Sequence, residues 1–336
     1  MGFAPLRGVF TVPPMTEWQT WQPVPPLPVS LSAAVLAELL DGGQAFRWHA
    51  LPEGAFEGVW GGHHVRVRTS RSGSGGLEFS APVWADRAAT ATALRAYLAG
   101  PPDDIDALPW RSDPHLAACL NAFPGLSILR QPFGETLLGF VCSATKQIVQ
   151  IKQMLALLAT RHGRPLHSCC TDSAAGSVIH DPDCPTSASN ALDGVRISHR
   201  LPAWTELAVV SVDQLRACAL GFRARHVAGI AARLAAEPGW LEATEHAPYA
   251  EAKARLLTLP GVGEKVADCV LLFGAGRLEA FPVDTWILKA MARRYGLDGW
   301  KPAQIAQFGR AHFGPQAGLA QQYLFAHERA VARSRV

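Results

Sequence analysis

The sequence predicts an α+β chain in which an N-terminal antiparallel β-sheet domain is followed by a mainly α-helical part made of two subdomains. Three observations predict it. Strand-like runs at Phe56 to Trp60 and His63 to Arg68 flank Gly61-Gly62, a two-residue hairpin signal. After Thr90-Ala91-Thr92-Ala93-Leu94 the pattern becomes mainly helical and stays so. Around Pro260-Gly261-Val262-Gly263 two helical patterns meet at a tight turn, a helix-hairpin-helix at 249–274. The 336 residues, 49% of them hydrophobic, suffice for a large core shared by two or three subdomains.

Taken in order, residues 1–30 form a Pro-rich N-terminal arm, with Pro5, Pro13, Pro14, Pro23, Pro25, Pro26 and Pro28 around Trp18 and Trp21. Such composition favours extended chain, either loose or laid on the domain surface. Residues 31–110 are expected to hold the antiparallel β domain, with strands from Leu31 to about Ser80. There His64, Arg66 and Arg68 alternate with Val65 and Val67, which reads as a sheet with one wet face, and a second turn lies at Ser72 to Gly76. Residues 111–336 form the helical part, including an apolar helix from Glu135 to Cys142 entered through Leu129-Arg130-Gln131-Pro132. Within it, 163–200 is Ser-, Asp-, Pro- and Gly-rich and carries Cys169, Cys170, His180, Cys184 and His199. Zinc prefers short paired spacings and no C-x-x-C occurs there, so a surface insertion is expected and no metal.

The net charge is a mild +3, unevenly placed: from Glu251 onward twelve Lys/Arg face seven Asp/Glu. A basic C-terminal part suits a phosphate-bearing partner, although surfaces that bind nothing often carry as much. Seven cysteines, an odd set, without a secreted framework indicate a reducing, intracellular setting: cytoplasm or nucleoid in a bacterium, nucleus in a eukaryote. No charged and apolar leader, no run of about 18 apolar residues and no membrane partner are read from it. Leu6 stands where a myristoylation signal needs Ser or Thr.

The chemistry concentrates at the hairpin. Pro260 stops the first helix, while Gly261 and Gly263 leave a bare turn whose amides, with the free N–H groups of the next helix, suit one phosphate. An ordinary helix connection would use the same glycines for geometry alone. Lys265 sits in the first turn of the second helix, where the macrodipole disfavours a cation and favours a neutral, nucleophilic amine. Asp284 follows nineteen positions later, before Thr285 and the apolar Ile287, Leu288 and Met291. It reads both as a helix N-cap and as a partner for the lysine.

Leu259 to Val270, together with Pro282-Val283-Asp284, resembles the signature of the helix-hairpin-helix DNA glycosylases, in particular the 8-oxoguanine DNA glycosylase branch. The resemblance spans about Leu31 to Phe325, interrupted by the insertion. It implies a two-subdomain helix-hairpin-helix glycosylase fold, damaged double-stranded DNA as partner, a monomer, and no cofactor. Gly43-Gln44-Ala45-Phe46-Arg47-Trp48 resembles the phrase that opens the family's β domain, which makes Gly43 the expected acceptor for N7–H of the oxidised base. Gly318-Leu319-Ala320-Gln321-Gln322-Tyr323-Leu324-Phe325 resembles the family's last helix. From it come Gln321 on the Watson–Crick edge and Phe325 stacked on the base, with Cys269 on the other base face and Pro282 beside the pocket. Leu220-Gly221-Phe222-Arg223 is similar to the stretch in which an aromatic wedges into the DNA stack and an arginine reads the opposite cytosine, here Phe222 and Arg223.

Two departures stand out. Ser143 to Gln150 replaces the family's asparagine-rich run and following arginine, so Thr145 stands where an asparagine fills the hole left by the flipped base, Gln150 stands where the arginine reads the orphaned cytosine, and Lys146 between them is an expected DNA contact. Glutamine both donates and accepts, and a relaxed preference for the opposite base is expected. Trp286 occupies the place of a phosphate-binding histidine, where no ionic contact is possible. Gly261, Val262 and Gly263 complete the expected DNA contacts. The reaction implied is base excision with strand cleavage through a Lys265 Schiff base, Asp284 stabilising positive charge on the sugar. A related glycosylase for other damaged bases, or a non-catalytic DNA-binding protein, would share the hairpin. Against the iron–sulfur type, no cysteine follows Cys269.

Overall fold

The computed structural model describes residues 17–28, 30–70, 76–99, 105–166 and 199–333. Most of the expected Ser72 to Gly76 turn, Pro5, Pro13 and Pro14 of the arm, and Cys169, Cys170, His180 and Cys184 lie outside the described residues.

Five strands, β1 (Gln22–Pro23), β2 (Trp48–Ala50), β3 (Phe56–Trp60), β4 (His63–Thr69) and β5 (Leu77–Ser80), form one antiparallel sheet in the order β1-β5-β4-β3-β2. The β3–β4 hairpin turns at Gly61-Gly62 with Trp60 opposite His63, and alternation then sends Val65 and Val67 into the core with no exposed surface. The other face is less wet than the alternation predicts. Arg66 and Arg68 pair with Glu57 and Glu78, and their guanidinium carbons lie 4.0 and 3.9 Å from the ring centres of Trp18 and Trp21. The arm is thus laid on the sheet, where β1 also adds an edge strand, and His64 is buried beneath Trp18 with Glu57 2.9 Å from its Nε2.

One stretch was expected as strand and is helix. Ala33–Asp41 forms α1, because Ser32 caps it by accepting from Val35 N–H at 3.2 Å, and Val35, Leu36, Leu39 and Leu40 then share one buried face. Leu, Ala and Glu are strong helix formers, and the strand pattern begins only at Trp48.

The remainder is helical: α2 (Arg87–Ala99), α3 (Pro114–Ala122), α4 (Phe133–Ser143), α5 (Ile148–His162), the short α6 (Trp204–Leu207) and α7 (Val212–Leu215), α8 (Arg223–Ala236) and α9 (Trp240–His246). Then come α10 (Tyr249–Leu257), α11 (Glu264–Phe273), α12 (Thr285–Tyr295), α13 (Pro302–Phe313) and α14 (Ala317–Arg333). The apolar α4 runs through the middle, packed on α5, α8 and α11. Its Phe140 ring sits between Phe46 from the β side, at 5.2 Å, and Phe273 from the end of α11, at 5.5 Å. Among the described residues no helix is long and apolar enough to cross a membrane.

The hairpin helices α10 and α11 are joined by ions as well as by packing. Lys253 on α10 lies 2.9 Å from Asp268 and 2.7 Å from Glu264, and Tyr249 donates to Asp268 at 2.8 Å. Asp268 is 2% exposed, so it depends on these partners for its charge. Replacing Lys253 with Met leaves a buried carboxylate unpaired and is expected to destabilise the protein by about 3 kcal/mol, read as a lower midpoint in urea unfolding. An unchanged midpoint would show that Tyr249 alone satisfies Asp268.

Candidate active site

Lys265 enters the site from the first turn of α11, directly after Gly263, which starts the helix without a side chain of its own. An added Cβ at Gly263 would meet nothing within 4 Å, so the turn backbone is open to an outside partner. Gly261 is held differently. Its φ of +77° favours glycine, and an added Cβ would lie 2.2 Å from Nδ1 of His226, so α8 packs directly on the hairpin backbone. Val262 is buried beneath the turn.

The lysine is half-buried, its Nζ 5.1 Å from the ring centre of Phe140. One turn on, Cys269 is buried, and burial pushes its thiol up to about 11 against the opposing field of Lys265, with which it shares a hydrogen bond. The thiol is therefore neutral at pH 7 and acts as a small packing group. Asp284 caps α12 as its sequence predicts, accepting from Trp286 N–H at 3.0 Å and Ile287 N–H at 2.9 Å. Burial raises its carboxyl above the ordinary range; the Ile287 N–H and the Lys265 charge oppose that rise. Lysine and carboxylate thus sense one another across the site.

Gly43 and Phe325 come together from opposite ends of the chain. Gly43 has φ +112°, and an added Cβ would lie 3.3 Å from Ile148 and 3.9 Å from the tip of the Phe325 ring. Pro282 is buried, and Gln321 donates to its carbonyl at 3.1 Å while accepting from Gln322 at 2.6 Å. Gln321 is 3% exposed, with its amide already partnered on both sides.

The expected DNA face divides. Phe222 is 58% exposed, an apolar ring standing in solvent, with His226 beneath it at 5.8 Å. Arg223 differs from its expected place. It is 2% exposed, and its guanidinium donates to the carbonyls of Ala144 and Leu220 and, at 2.9 Å, to the Thr145 hydroxyl. Instead of reaching outward it holds the turn at Thr145, whose φ of +56° is unusual for a branched residue. Thr145, Lys146 and Gln150 are exposed beside it, and Gln150 accepts from Gln147 N–H at 3.2 Å as part of a capping box on α5. Trp286 is half-buried, with the Lys289 ammonium 5.1 Å from its ring centre.

Sequence reasoning missed the groups that hold this arrangement. Glu38, buried Gln44 and Arg329 all bond around the Gly43 turn. Arg329 was findable, since it follows Phe325 by four residues and shares its helical face. Among the described residues no group of three His, Cys, Asp or Glu could hold a metal ion.

No protein-family model matches the chain. Over 319 residues it is 28% identical to the N-glycosylase/DNA lyase OGG1 of Arabidopsis thaliana, covering 90% of this chain and 80% of that protein. It is 30% identical over 227 residues to the probable N-glycosylase/DNA lyase of Methanothermobacter thermautotrophicus, covering 65% of this chain and 68% of that one. Among solved structures it is similar to the 8-oxoguanine glycosylase/lyase of Clostridium acetobutylicum, in complex with double-stranded DNA carrying cytosine opposite 8-oxoguanine. There the TM-score is 0.73 at 27% identity, covering 88% of this chain and 92% of that one. Identity at this level across most of each relative, on a fold shared with a solved glycosylase/lyase, leaves one conclusion: the chain belongs to the N-glycosylase/DNA lyase family.

Proposed function

We propose that this protein excises 8-oxoguanine from duplex DNA and then cuts the strand at the resulting site, with Lys265 as nucleophile. The observation that carries this reading is the convergence of Lys265, Cys269 and Asp284 at the open end of α11 in a chain whose Gly43 turn faces Phe325. The neutral amine attacks C1′, the bond from C1′ to N9 breaks, and the base leaves with a proton. The ring oxygen then leaves C1′ and takes up the nitrogen's proton, which gives an imine, and β-elimination removes a proton from C2′ as the C3′–O3′ bond breaks. Asp284 stabilises the positive charge that develops on the sugar from a fixed position, since two backbone N–H groups hold it. Gly43, Cys269, Pro282, Gln321 and Phe325 enclose the flipped base. Phe222 fills the stack it leaves, which offsets part of the few kcal/mol lost on unstacking. The bare hairpin of Gly261, Val262 and Gly263 binds a phosphate, and the protein works as a monomer without a cofactor.

The opposite strand faces Thr145, Lys146 and Gln150, because Arg223 is engaged with the Thr145 turn. Gln150, with its amide oxygen taken up by Gln147 N–H, offers its NH2 group alone, which discriminates less than a guanidinium fork. Trp286 contributes an aromatic surface to the DNA face, with Lys289 above it as the charged group.

Replacing Lys265 with Gln is expected to abolish both borohydride trapping on lesion DNA and strand cleavage; trapping that persists would refute its role. Single-turnover excision opposite C, A, G and T is expected to vary by about tenfold or less, whereas a preference for C above about a hundredfold overturns the relaxed reading. A third outcome follows from Asp284. A carboxylate is lost as pH falls, and burial moves that loss to a higher pH than for a free aspartate. Below it the rate falls more steeply, since loss of the carboxylate removes the charge that stabilises the developing sugar cation. Asp284→Asn should be slower by about a hundredfold and lack this steepening; an unchanged pH profile in the variant would exclude Asp284 from the reaction.

A further inference from the structure

The polar contacts around Gly43 include a pair that the mechanism above does not use. Arg329 lies on α14 one turn beyond Phe325, and its guanidinium carbon sits 5.3 Å from the centre of that ring. The same guanidinium donates through Nη1 to Glu38 Oε1 on α1, at 2.7 Å, and to the carbonyl of Gly42. Both charged residues are 8% exposed. Gly42 admits no other residue there, because an added Cβ would lie 2.0 Å from the Glu38 carbonyl oxygen. Neighbouring anchors hold the rest of the turn. Asp41 pairs with Lys152 of α5 at 2.5 Å, and Gln44 is bonded to Ser127 and Leu129. One arginine therefore contacts both the aromatic ring and the glycine turn that face each other across the base pocket.

We propose that Arg329, held by Glu38, is a positioning residue for recognition of the oxidised base, fixing the spacing between the Gly43 turn and Phe325. This rests on the reading of Gly43 and Phe325 as walls of the base pocket. A buried ion pair gives little net stability over well-packed apolar groups. Its directional bonds do set a separation, and the two elements it joins are 287 residues apart in sequence with no covalent tie near the pocket. Lys265 is on a different helix, α11, and Arg329 acts on Asp284 only as the last of the groups that lower its carboxyl, so the lyase step at a site that has already lost its base does not depend on this spacing. Recognition of the base and β-elimination are separable by substitution at this pair.

The test uses the full chain and the double variant Glu38→Met with Arg329→Met, which replaces both charges by apolar groups of similar length and leaves neither buried alone. Two single-turnover rates are measured for the wild-type protein and the variant: excision from an 8-oxoguanine duplex, and cleavage of the same duplex carrying a preformed abasic site. The variant is expected to melt near the wild type, to excise at least about tenfold more slowly, and to cleave the abasic site within about threefold of the wild-type rate. An unchanged ratio of the two rates overturns the proposal, whether both rates hold or both fall together. Should the double variant fail to fold, Arg329→Lys keeps a charge against Glu38 and is expected to lower the same ratio by about threefold; no change in that ratio is equally decisive. Wild-type protein that cleaves abasic sites but leaves 8-oxoguanine in place refutes the substrate, and with it this proposal. That result is distinguishable, because it is seen before any variant is made.

Discussion

A line of hydrogen bonds running through a buried amide ties the Gly43 turn to the helix that carries Lys265. Gln44 follows Gly43, donates to the Ser127 carbonyl at 3.0 Å and accepts from Leu129 N–H at 2.9 Å, so its side chain replaces two backbone partners in a segment with no regular structure. Its own carbonyl accepts from the Gln131 side chain at 2.7 Å, and Gln131 N–H donates to the Phe273 carbonyl at the end of α11. Lys265 and Cys269 ride on that helix. Gln44, Ser127 and Leu129 are withdrawn from water, where an unmade bond costs more than a made one contributes. The β module and the helical body are thereby held in register by polar contacts, around the aromatic sandwich of Phe46, Phe140 and Phe273.

A second linkage joins the exposed wedge to the hairpin. Phe222 stands above His226, and His226 packs so closely on Gly261 that the hairpin tolerates no side chain there. Gly229, one helical turn further along α8, lets Pro260 approach in the same way, since an added Cβ would lie 3.0 Å from its ring. Displacing the wedge therefore bears on the turn that presents the free amides. Arg223, the next residue, donates to the Ala144 carbonyl and the Thr145 hydroxyl, which ties the start of α8 to that turn. Under the proposed reading of Phe222 as a wedge in the base stack, these contacts resist its being pushed back.

How much of this the sequence disclosed follows from how local each signal is. The β3–β4 hairpin, the α10–α11 turn and the Asp284 cap are encoded within a few residues each, and all three form at the expected positions. The order of the sheet and the burial of its polar face were not legible, because they depend on Trp18 and Trp21 folding back across residues far ahead in the chain. Helix α1 was misread because the strand pattern that follows it was extended back past the Ser32 cap. The direction taken by Arg223 was hidden for a related reason. The resemblance offers Arg223 as a reader of the opposite base, and only the Thr145 turn, seventy-eight positions earlier, shows it held inward. Glu38 carries no motif at all; its meaning comes from meeting Arg329 beside one glycine.

The placement of Asp284 has an electrostatic logic of its own. As an N-cap it is anchored by two N–H groups, so its position costs no reorganisation when charge appears nearby. As a buried carboxylate it is disfavoured in its charged form, and the Lys265 charge is among the groups that relieve this. In the proposed reaction positive charge develops on the sugar as the base leaves, and a carboxylate already fixed in place meets it without moving. Complementarity to that developing charge, rather than tight binding as such, is what accelerates a chemical step.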